Sequence, residues 1–136
     1  GLVSVLDNEE SSLKEKMIAI VNHYMDQLSE NQNMAPFILN AIRENPDDYI
    51  AKIGLLNRAK GSVFIKQFQE AIKKGEIPPI NPLHFMLNLM GLIVFPVIAQ
   101  PMSCVATGIQ KELFFEMIQE RRRLIPLWIE TMLSVK

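Results

Sequence analysis

Two histidines, one cysteine and a few adjacent carboxylates are the side chains of this 136-residue chain that could do chemistry, and their spacing argues against catalysis. His23 has Asp26 at i+3 and Gln27 at i+4. That is a weak ligand cluster, and it is also what an ordinary helix surface looks like. Neither His23 nor His84 stands at a metal-ligand spacing from the other or from Cys104. Cys104 follows Ser103 with no histidine nearby, and a thiol becomes a nucleophile only with a base or a lowered pKa. Glu9-Glu10 and Asp47-Asp48 are neighbours in exposed stretches. Such pairs point apart and offer no acid and base facing one substrate. There is no glycine-rich phosphate loop and no nucleophile elbow. These residues imply no metal, no cofactor and no enzyme.

His84 and Asn88 carry more information. They stand at i and i+4 and share one face of an otherwise apolar helix. Burying both polar groups is costly unless each finds a partner. Either each bonds nearby backbone or a second subunit, or both line an apolar pocket and orient a small molecule. Met17, Met25, Met86 and Met90, with Tyr24, Phe37, Phe64 and Phe68, are candidates to wall such a cavity. Methionine adapts to irregular shapes. Ordinary core packing explains the same residues one by one.

The element that must position this pair runs from Asn81 to Met102. Asn81 is a good N-cap and Pro82 suits the first helical position. From Leu83 to Ala99 mainly His84, Asn88 and Pro96 interrupt an apolar run. A helix apolar all round must be covered on every side, and a short chain hardly covers one alone. A membrane span is the weaker solution. The run is short, holds polar residues, and has no Lys or Arg anchors close by. A homodimer interface is the better one. Gly91 would let a partner backbone approach, or it is a tolerated helix glycine costing about 1 kcal/mol.

The other elements also read as helices. Ser12 and Glu15 form a capping box before a helix to about Glu30, and Asn31-Gln32-Asn33 is a turn. A short helix follows to Asn45-Pro46, with Phe37, Ile38 and Ile42 facing inward. Pro46 to Asn57 is ambiguous: Tyr49, Ile50 and Ile53 suit a short helix that Gly54 and Gly61 weaken. Ser62 caps a helix ended by Gly75 and Pro78-Pro79. Gln100 to Gly108 reads as a loop. A final helix spans roughly Gln110 to Leu133, kinked at Pro126. Period-two alternation is absent. The expectation is one all-α domain over residues 1–136, with five or six helices.

Composition adds limits. Lys plus Arg (14) nearly balances Asp plus Glu (15), so no global field points to nucleic acid. Arg121-Arg122-Arg123 reads as the solvated face of a helix. One cysteine excludes an internal disulfide and fits a reducing compartment. Leu2 to Leu6 is too short for a signal peptide.

Glu30-Asn31, Ala35-Pro36-Phe37-Ile38 and Asn45-Pro46 resemble a segment of the TetR/AcrR family of bacterial transcriptional regulators. The run Asn81-Pro82-Leu83-His84-Phe85, Asn88-Leu89, Val94-Phe95-Pro96 and Pro101-Met102 resembles another, and Glu120-Arg121-Arg122 with the closing helix also fits. The resemblance covers nearly all the chain, as the variable C-terminal part of that family. It implies a cytoplasmic ligand-sensing and dimerisation domain, without the N-terminal helix-turn-helix that reads operator DNA as a dimer. The last two long helices would pair with their copies as a four-helix bundle. Leu87, Gly91, Val94, Leu113, Met117 and Trp128 then become interface candidates. A small, mostly apolar effector would shift operator affinity through a coupling of about 1–3 kcal/mol. The resemblance names neither effector nor operator. The other expectations are a stand-alone helical dimer with no ligand, or a membrane-associated helical protein.

Overall fold

A computed structural model of the chain describes residues 2–30, 34–47 and 63–134. Every element among them is helical, seven in all: α1 (Leu2–Leu6), α2 (Leu13–Glu30), α3 (Met34–Glu44), α4 (Val63–Lys73), α5 (Pro82–Ile98), α6 (Gln100–Thr107) and α7 (Lys111–Met132). No strand occurs among the described residues, so the fold is all-α. The expected turn at Asn31-Gln32-Asn33, the ambiguous segment with Tyr49, Ile50, Ile53, Gly54 and Gly61, and the Ser62 cap lie outside the described residues.

Local chemistry places the helix ends. Ser12 Oγ accepts from Glu15 N at 3.1 Å, and Asn81 Oδ1 accepts from Leu83 N at 2.9 Å. Both satisfy donors that a helix start leaves free. Gly75 and Gly108 take the left-handed conformation (φ +74° each) that ends α4 and α6. The stretch from Gln100 is a helix rather than the expected loop. Pro101 sits in its first turn, where a proline opens a helix as readily as it ends one. α5 also continues past Pro96 to Ile98 before the chain bends by 62° into α6.

The core is the shared inner face of α2, α4, α5 and α7. Ile20, Val21 and Met25 meet Phe64 and Phe68, Phe85, Leu89 and Ile93, and Phe114, Ile118, Ile125 and Ile129. The spacings, mostly four residues or two turns, keep each set on one side of its helix. α3 departs from expectation, because Phe37 is 72% exposed. Leu39 is exposed as well, and the expected inward facing of Ile38 and Ile42 lies outside the described side chains.

The connection from α1 to α2 is held by a lysine. Lys16 is fully buried, and its Nζ donates to Asn8 O (2.6 Å), Ser11 O (2.7 Å) and Ser11 Oγ (2.6 Å). The ammonium closes the loop and joins it to the first turns of α2. Gln67 of α4 donates to the same Ser11 carbonyl at 3.1 Å. Burial lowers the Lys16 pKa, opposed by the negative charges of Glu15 and Asp7. Lys16→Met keeps the stem but removes three charge-assisted hydrogen bonds, leaving the Ser11 carbonyl with Gln67 and the Asn8 carbonyl with Ser11 Oγ as donors. We expect a stability loss of about 1–3 kcal/mol in urea denaturation, with proteolysis increasing first between Asp7 and Ser12. An unchanged midpoint would show that the loop holds without the ammonium.

Candidate functional site

α5 and α7 lie side by side and antiparallel, and their outer faces form the chemically distinctive surface of the molecule. α5 buries Phe85, Leu89 and Ile93 at four-residue steps. Its opposite side carries Leu83, Leu87, Gly91 and Phe95, also at four-residue steps and all exposed, Leu87 and Phe95 by 61% each. α7 repeats the pattern with Phe114, Ile118, Ile125 and Ile129 inside. Leu113 (57% exposed), Met117, Leu127 and Trp128 (41%) face out. Val94 is half-buried at the edge of the same surface. A Cβ built on Gly91 would meet nothing within 4 Å, so the surface is open there.

A proline and an arginine join the two helices. Pro96 has no N–H, so the carbonyl of Leu92, one turn earlier, loses its helical donor. Arg121 supplies two replacements from α7: Nε at 3.1 Å and Nη2 at 3.0 Å. Its guanidinium also stands 5.0 Å from the centre of the Trp128 ring, a cation–π distance. Burial lowers the Arg121 pKa, but a guanidinium remains charged at neutral pH. At the other end of the pair, Asn88 Nδ2 lies 3.2 Å from Met132 Sδ.

The arginine triplet therefore departs from the expected solvated face. Arg122 Nη1 reaches Asp26 Oδ1 at 2.7 Å and Asn22 Oδ1 at 3.3 Å, tying α7 to α2. Gln119 donates to Ser29 Oγ at 2.6 Å beside it. Of the three arginines only Arg123 is exposed. Sequence reasoning missed Arg121, although a signal existed: a proline inside a helix leaves a carbonyl four residues back that needs a donor.

The pocket candidates divide. Phe64 and Phe68 are core, with ring centres 6.4 Å apart, and Phe68 packs in turn against Phe85 at 5.2 Å with the rings tilted by 44°. Tyr24 is half-buried with its ring edge-on to His23 at 5.2 Å. Phe37 is exposed. His84 and Asn88 are exposed too, on the outer side of α5 beside Gly91 and Phe95. The cause is helical phase: each precedes a buried residue, Phe85 or Leu89, and so lies about 100° round the axis from it. The structure groups His84 and Asn88 with the interface candidates rather than with Phe64 and Phe68.

Between α5, α6 and α7, a cleft of about 30 Å³ is lined by Val97, Gln100, Lys111, Phe114, Phe115 and Ile118. It has room for water, not for an organic effector. Cys104 is half-buried, with Gln100 Nε2 3.3 Å from its sulfur. Among the described residues, no three His, Cys, Asp or Glu side chains converge as metal ligands. Among those residues also, no single helix is long and apolar enough to cross a membrane; α5 and α6 reach that length only as a bent pair.

No protein-family model, curated protein or solved structure matches the chain. The TetR/AcrR resemblance rests on the sequence motifs alone.

The Pro96–Arg121 pairing makes a quantitative prediction. Arg121→Leu strands the Leu92 carbonyl and is expected to destabilise by about 1–3 kcal/mol. Pro96→Ala restores a helical N–H for that carbonyl. In a double-mutant cycle followed by urea denaturation, Arg121→Leu should cost less in the Pro96→Ala background. Additive effects would show that the two residues act separately.

Proposed function

We propose that the chain is the homodimerisation and effector-sensing domain of a bacterial TetR-type transcriptional regulator. In this reading two copies join through α5 and α7 as a four-helix bundle. A small, mostly apolar ligand shifts the equilibrium between two dimer arrangements. Operator DNA is read by a helix-turn-helix that these residues do not include, in the cytoplasm. The observation that carries the reading is the outer face of α5 and α7, with apolar residues at helical spacing on both helices left in water. Monomeric proteins rarely leave a contiguous apolar surface of this kind uncovered. The sensing role is supported by the sequence motifs.

A second reading has its own observation. Phe64, Phe68 and Phe85 are buried against one another as tilted rings, and His84 with Asn88 turns outward. That arrangement favours a stand-alone helical homodimer that binds no ligand.

Sedimentation equilibrium tests the shared part. The chain is expected at twice its mass, and Met117→Glu should raise the dissociation constant at least about tenfold, as loss of a central apolar contact does. A monomer at all concentrations would remove both readings. Thermal melts against a panel of apolar small molecules separate the two: a raised midpoint supports the sensor, and none supports the plain dimer. If a ligand binds, His84→Ala and Asn88→Ala titrations then show whether these residues touch it. Unchanged affinity in both would assign them to the interface alone.

A further inference from the structure

We draw no further inference here: the strongest candidate, the apolar side of the short helix α6 where Met102 and Val105 stand in water, carries none, because nothing in the structure shows what covers it.

Discussion

α5 carries no charged residue on any side, and among the described residues it is fully buried only along the side that Phe85, Leu89 and Ile93 share. From Asn81 to Gln110 there is no Asp, Glu, Lys or Arg, so no rotation of α5 turns a charged face to water. Burying a residue such as Leu or Phe is worth roughly 1.5–3 kcal/mol. Phe85, Leu89 and Ile93 realise that gain within one chain, while Leu87 and Phe95 do not. The remaining helices are arranged around this constraint. α2 and α4 close the inner side with Met25 and Phe68, and α7 flanks it.

Two of the buried polar interactions sit where backbone carbonyls lack a helical donor. Pro96 breaks the hydrogen-bond ladder of α5 next to α7, and the Arg121 fork repairs it from outside the helix. An arginine suits the task because it presents two donors in a fixed geometry and stays charged when partly buried. Lys16 performs the same service for the loop between α1 and α2, satisfying backbone carbonyls and a hydroxyl in place of water. Arg122 completes the set by linking α7 to α2 through Asp26. These cations hold helices together; none of them faces a cavity.

That distribution bears on function. Lys16 and Arg121 direct their donors at backbone carbonyls and one hydroxyl. Most of the large apolar side chains left in water lie along α5 and α7, with Phe37 on α3 and Met102 and Val105 on α6 outside that surface. On the proposed reading that area is where two copies meet, and the hydrogen bonds from Arg121 to the Leu92 carbonyl join the two helices that the partner contacts. A ligand that moved either helix would act on the interface through the same link.

Much of this was legible in the sequence. The helix starts at Ser12 and Asn81, the stop at Gly75, the helical class and the need of α5 for cover all follow from capping chemistry and periodicity, which act over a few residues. Other features were not legible, because they depend on helical phase and on contacts distant in sequence. Pro101 and Gly108 bound a helix where punctuation suggested a loop, since a proline marks a boundary without saying which side is helical. Phe37 has the composition of a core residue and lies outside. His84 and Asn88 share a face with each other by spacing alone. Which way that face points was decided only when Phe85 and Leu89 packed inward, carrying the polar pair about 100° round to the outside. Arg121 is an unremarkable member of a basic triplet until the fold brings it to the carbonyl of Leu92, far away in sequence. Local chemistry thus determined what the elements are, and tertiary packing decided which side of each is buried, because only the neighbouring helices fix the rotation of a helix that is apolar all round.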